Sequence, residues 1–207
     1  MKKRIGIDID GVLADFSNPY VEKMNEIQGS QIIVTPEMKD CWHFETKVGF
    51  TVDTREEFWR WAKTPEAQEW WENLPLLCTQ DEQQTIVQLA QQHDVVFITK
   101  CPLHMRRYRQ VWADKHFFAS TNGHFFSASI PVVATNRKGP IAYGLELHAM
   151  IDDKPQNLVD VLKYCGTSTD CYLVNQTWNQ ECNHRYIERV ANLQISLDKI
   201  NKKVYNV

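Results

Sequence analysis

The stretch Ile5-Gly-Ile-Asp-Ile-Asp-Gly-Val-Leu-Ala-Asp15 decides how the rest of the chain is read. A short apolar run ends in two carboxylates, Asp8 and Asp10, followed at once by Gly11. Residues two apart in a strand point to one face. A strand over residues 4–10 therefore delivers both carboxylates at its carboxyl end, where open α/β sheets place their ligands. Two acids held this close repel each other, and ionising both is unfavourable unless a cation sits between them. The pattern points to a Mg²⁺-dependent phosphoryl-transfer site.

Working outward, strand and helix signals alternate. Leu13, Phe16, Tyr20, Met24 and Ile27 predict a helix after the first strand, stopped at Gly29. A second helix carries Ile86, Leu89, Ala90 and His93, ahead of a buried-type strand over 95–99. A third carries Met105, Tyr108 and Trp112, and the run Arg106-Arg-Tyr-Arg109 at its head reads as a solvated face. Further strands are expected over 130–135, 149–152 and 171–174. Between the last two, Pro155 opens a helix with Leu158, Val161, Leu162 and Cys165 on one stripe, closed by Gly166. Short strands alternating with amphipathic helices mean an α/β fold, a Rossmann-like doubly wound parallel sheet. Residues 18–77 break the alternation with eight aromatics from Trp42 to Trp71. They read as a small helical cap inserted into a core formed by 1–17 and 78–207.

Composition narrows the function classes. A chain of 207 residues holds one full-sized core and a modest insertion. A net charge of −3 with dispersed basic residues argues against binding a nucleic-acid polymer. No stretch approaches the roughly 18 apolar residues of a membrane span, and the Met1-Lys-Lys-Arg4 start runs into the first strand without a signal-peptide core. Six cysteines without a CxxC pair predict reduced thiols and a cytoplasmic protein. A homodimer is compatible with all of this.

A metal-assisted phosphatase needs a nucleophile, an acid/base and positive charge on the phosphoryl oxygens. The strand ends supply candidates in chain order: Asp8 and Asp10, then Thr99, then Lys138 in the segment following the strand near 132, then Asp152-Asp153. This set resembles the four-motif pattern of the haloacid dehalogenase (HAD) superfamily. The segments Asp8–Phe16 and Ile151–Pro155 resemble in particular its 5′(3′)-deoxyribonucleotidase branch, although that branch's Thr-Ser-Pro reads Thr99-Lys-Cys-Pro102 here.

The resemblance implies that Asp8 attacks phosphorus and forms a phospho-aspartyl intermediate, with Asp10 as acid and then base. It implies Mg²⁺ held by Asp8, the Asp10 carbonyl and Asp152, with Asp153 close by, and phosphate held by Thr99 and Lys138. It also implies a base pocket lined by Phe16. Aromatic faces stack on any nucleobase, so Trp42, Phe44 and Trp71 join Phe16 as candidate substrate contacts. The expected activity is hydrolysis of nucleoside monophosphates. The rival readings are a phosphatase for another small phosphorylated metabolite and a non-catalytic nucleotide-binding module.

Overall fold

The computed structural model describes residues 2–41, 43–117, 120–121, 124–125 and 129–205. Its centre is a six-stranded sheet in the order β5-β2-β1-β6-β7-β8. The strands are β1 (Arg4–Ile7), β2 (Asp94–Thr99), β5 (Val132–Ala134), β6 (Ala149–Asp152), β7 (Asp170–Val174) and β8 (Ile187–Val190). Every neighbouring pair is parallel. Two short antiparallel strands, β3 (Ser120–Thr121) and β4 (His124–Phe125), stand apart from it. The eight described helices are α1 (Ser17–Gln28), α2 (Val52–Trp61), α3 (Gln68–Glu72), α4 (Gln80–Gln92), α5 (Arg106–Phe117), α6 (Lys138–Gly144), α7 (Pro155–Cys165) and α8 (Leu193–Tyr205).

The chain builds the sheet on one side of β1 and then returns to build the other, so the carboxyl end of β1 is the switch point where such sheets bind ligands. Alternation along the strands sorts the core into two layers. Ile5, Ile7, Val95, Phe97 and Ile151 face one layer, while Val96, Ile98, Met150, Leu158 and Val161 fill the other. Gly6 points into the second layer, where a Cβ would lie 2.7 Å from both Leu147 Cδ1 and Met150 Sδ. The small residue lets Leu147 and Met150 pack close against the central strand.

Several expected boundaries shift for local reasons. Regular pairing of β1 ends at Ile7, because the amides of Val12, Leu13 and Ala14 all turn back onto the Ile9 carbonyl. That turn carries Leu13 and Phe16 ahead of α1 rather than within it, and Gly29 ends α1 in the left-handed conformation at φ 67°. Lys138 opens α6, with Pro140 in its first turn, where a missing N–H is tolerated. The described residues of 17–77 contribute to the core of the sheet. Tyr20, Met24, Phe44, Phe58 and Trp71 belong to one cluster with Ile5, Ile7 and Phe97. None of the described helices is long and apolar enough to cross a membrane.

Packing of α6 on α7 fixes where Lys138 begins. A methyl group on Gly139 would overlap the Asp160 carbonyl oxygen and lie 2.6 Å from Tyr164 Cδ2. Gly139→Ala should therefore destabilise the fold by about 1–3 kcal/mol, as overpacking does. Urea denaturation checks this, and an unchanged midpoint would show that α6 can slide.

Candidate active site

Asp8, Asp152 and Asp153 are all buried and offer carboxylate oxygens within 4.8 Å of one another. Sheet register brings them together: Ile7 pairs with Ile151, so the next residue on each strand is an aspartate. The Asp8 amide continues the ladder onto the Ile151 carbonyl at 2.9 Å. Lys138, entering from the start of α6, places Nζ 2.7 Å from Asp8 Oδ1 and 2.6 Å from Asp152 Oδ2. Asp152 also accepts from the Lys154 amide at 2.8 Å and from Asn157 Nδ2. It is thus Asp152, rather than Asp153, that anchors the first turn of α7.

The charges reflect this crowding. Burial, reinforced by the neighbouring Asp152, pushes the Asp8 carboxyl well above the usual carboxylate range despite the opposing pull of Lys138. Burial and then Asp152 push Asp153 up to about 8. Burial works to discharge Lys138, but Asp152 and Asp8 outweigh it and hold its ammonium above the ordinary range. One lysine is too little positive charge for three desolvated acids.

The residues fit a divalent cation. Asp153 Oδ1 is buried and has no partner among the described residues, so one hard oxygen donor is left open beside the two other acids. Mg²⁺ is held by carboxylates of this kind, with water completing its shell. Asp8, Asp152 and Asp153 would hold it. Gly11, at φ 85°, makes room for this arrangement, since a Cβ there would collide with Asp153 Oδ2. The absent side chain clears space for a carboxylate.

Asp10 stands beside this group. Its Oδ2 accepts from Thr99 Oγ1 at 3.1 Å and its Oδ1 from Arg109 Nη2 at 2.6 Å. The Thr99 hydroxyl, expected on phosphate, is here directed at Asp10. Arg109, expected on a solvated face, is fully buried, whereas Arg106 and Arg107 are exposed. Its position was readable: Met105, Arg109, Trp112 and Ala113 share one helical stripe, and all four are buried.

A further set comes from the turn after β7, which carried no chemical signal in the sequence. Gln176 Nε2 donates to the Gly11 carbonyl, Trp178 Nε1 to Asp153 Oδ2, and Asn179 Nδ2 to the Asp153 carbonyl, each at 2.8 Å. Thr177 Oγ1 donates to the Lys39 carbonyl. One turn thereby braces the Gly11 backbone, an acid of the cluster and the 17–77 segment.

The expected substrate contacts divide. Trp71 is 1% exposed and donates its indole N–H to the Ala62 carbonyl, and Phe44 is buried edge-on against Tyr20. Both fill the interior. Phe16 is partly exposed and near-parallel to the partly exposed Trp59, with centroids 6.0 Å apart. Trp42 lies outside the described residues. A separate cleft of about 520 Å³, lined in part by Asp170, Arg185 and Glu188, opens at the amino ends of β7 and β8, away from the acids.

No protein-family model matches the sequence, nor does any curated protein. Solved structures do. A haloacid dehalogenase-like hydrolase from Burkholderia xenovorans aligns with a TM-score of 0.60 at 9% identity, over 99% of each chain. A HAD-hydrolase from Bacillus subtilis, solved with magnesium bound, gives 0.57 at 14% identity over 97% of this chain and 99% of that one. D,D-heptose 1,7-bisphosphate phosphatase from Burkholderia thailandensis gives 0.53 at 11% identity, over 97% and 99%. At these identities the likeness is one of fold: the chain has the α/β architecture of HAD-like hydrolases.

The raised Asp153 carboxyl sets a testable pH dependence. An acid whose folded pKa of about 8 exceeds its ordinary 3.8 withdraws stability as pH rises between those values. A divalent cation favours the ionised form and reverses the loss. Added Mg²⁺ should therefore raise the melting temperature more at about pH 8 than at about pH 6, with the difference reduced in Asp153→Asn. Scanning calorimetry decides it, and a pH-independent shift would show Asp153 already ionised without metal.

Proposed function

We propose that this chain is a Mg²⁺-dependent phosphomonoesterase that hydrolyses nucleoside monophosphates through a phospho-aspartyl intermediate on Asp8. The observation that carries this reading is the buried trio Asp8, Asp152 and Asp153, bridged by Lys138, with Asp10 beside it at the switch point of the sheet. Displacing a halide from carbon needs no cation, so a site built to concentrate acids around one favours phosphoryl transfer.

In this reading an Asp8 carboxylate oxygen attacks phosphorus in line with the departing ester oxygen. The bound Mg²⁺ would supply charge neutralisation for the phosphoryl oxygens and the clustered acids. Asp10 gives a proton to the leaving oxygen, then takes one from the water that cleaves the acyl phosphate. Lys138 keeps Asp8 and Asp152 aligned and adds a fixed positive charge. Asp8 is both buried and crowded by like charges, so a cation held by Asp8, Asp152 and Asp153 would favour the ionised carboxylate that the attack needs.

The nucleoside half of the proposal rests on Phe16, which follows closely on the Asp10 loop, and on Trp59 of α2, a partly exposed ring stacked near it. A ring face offers a base roughly 1–3 kcal/mol of stacking. Another small phosphorylated metabolite is the alternative substrate class, and one of the structural neighbours is a sugar bisphosphate phosphatase.

A panel of nucleotides, sugar phosphates and an aryl phosphate, assayed with Mg²⁺, tests both levels. Nucleoside monophosphates should be preferred, and chelation should stop turnover. Asp8→Asn should remove activity by well over the roughly 10²–10⁴-fold expected for an acid/base residue alone, without unfolding the protein. No phosphate release from any member would sink the assignment, and equal rates on substrates without a base would sink its nucleotide part.

A further inference from the structure

We propose that Arg109 is the positioning residue for Asp10, and that through it the placement of Asp10 depends on how helix α3 is seated. The inference rests on the acid/base role given to Asp10 above. Arg109 is 0% exposed, and its Nη2 lies 2.6 Å from Asp10 Oδ1. Its Nη1 reaches the Trp71 carbonyl at 3.4 Å. The guanidinium lies 5.5 Å from the Trp71 ring and 5.1 Å from that of Trp112. Both indoles are themselves fixed, Trp71 Nε1 on the Ala62 carbonyl and Trp112 Nε1 on the Leu74 carbonyl.

Stability alone is a poor reason for such a residue. A buried ion pair offers little net advantage over apolar side chains of similar volume. Arg109 moreover buries an Nε–H that has no partner among the described residues. What an arginine supplies here is direction. The guanidinium is planar, so aromatic neighbours that orient its plane also aim its N–H groups. Its absence would leave Asp10 with the Thr99 hydroxyl, a rotor that follows the carboxylate as readily as it guides it. Because Nη1 is tied to α3 and Nη2 to Asp10, a movement of α3 over α5 is transmitted to the acid/base.

Arg109→Met and Arg109→Lys, compared with wild type on an aryl phosphate with Mg²⁺, test the proposal. The Met variant should lose about 10²-fold in kcat with KM changed less than about threefold, as for a small misplacement of a reacting group. Lys, which keeps the charge without the planar fork, should recover roughly tenfold of that loss. In an Asp10→Asn background the Met substitution should change kcat less than about twofold, because it acts through Asp10. A folded Arg109→Met enzyme with wild-type kcat, a change confined to KM, or an equal loss in the Asp10→Asn background overturns it.

Should Arg109→Met fail to fold, Arg109→Lys decides alone: about tenfold below wild type in kcat, with a wild-type melting temperature, supports the proposal, and undiminished kcat defeats it. A crystal structure of either variant gives a reading independent of turnover. Asp10 turned away from Thr99 supports the assignment, and Asp10 unmoved overturns it. An inactive wild type would count against the phosphatase reading, while that crystal structure would still judge Arg109.

Discussion

Three carboxylates and one ammonium share a space from which water has been largely removed, and the surrounding structure follows from keeping them there. Asp8, Asp152 and Lys138 are each at most 5% exposed. Bringing like charges together in low dielectric is opposed by both desolvation and repulsion. Covalent continuity with the sheet supplies the force that holds them. β1 and β6 are neighbours in fixed register, and a side chain that leaves the end of either has no other direction available. Lys138 is fixed similarly, because close packing at Gly139 determines where α6 begins.

The second layer of the site comes from distant parts of the chain. Trp178 and Asn179 hold Asp153 from the turn after β7, and Gln176 holds the Gly11 carbonyl. Arg109 holds Asp10 from α5. The same turn and Arg109 also reach the 17–77 segment: Thr177 bonds the Lys39 carbonyl, and Arg109 bonds that of Trp71. Geometry at the acids is therefore coupled to the seating of those helices by direct hydrogen bonds. The 17–77 segment shares its apolar core with the central sheet.

The parts legible in the sequence are those governed by local chemistry. The run Ile5-Gly-Ile-Asp-Ile-Asp-Gly11 fixes the central strand because its apolar period is short and its carboxylates have one plausible use. Pro155 and Gly166 bracket α7 because each residue has a conformational reason to stand at a helix end. Arg109 was misread because charge composition suggested solvent, while the helical register that buries it says otherwise. The turn at 176–179 was invisible because its work depends on tertiary position, and Gln, Thr, Trp and Asn in a loop carry no local signature. β8 has no clear signal in the sequence, since the alternation Ile187-Glu-Arg-Val190 is too short to stand out.

Charge balance links the site to the class of substrate it suits. Once all three are ionised, Asp8, Asp152 and Asp153 against Lys138 leave an excess of negative charge that a monovalent ion would not remove. In the proposed reaction a divalent cation would bring the cluster near neutrality, and a phosphate monoester dianion would add negative charge beside it. Two lysines stand at the neighbouring strand ends. Lys100 follows Thr99 at the end of β2, and Lys154 follows Asp153 at the end of β6, on either side of β1. Burial and then the charge of Lys100 lower the Lys154 pKa, so the two ammonium groups feel one another across the strand ends. The strand ends thus join an acid cluster suited to a divalent cation with two lysines that flank it.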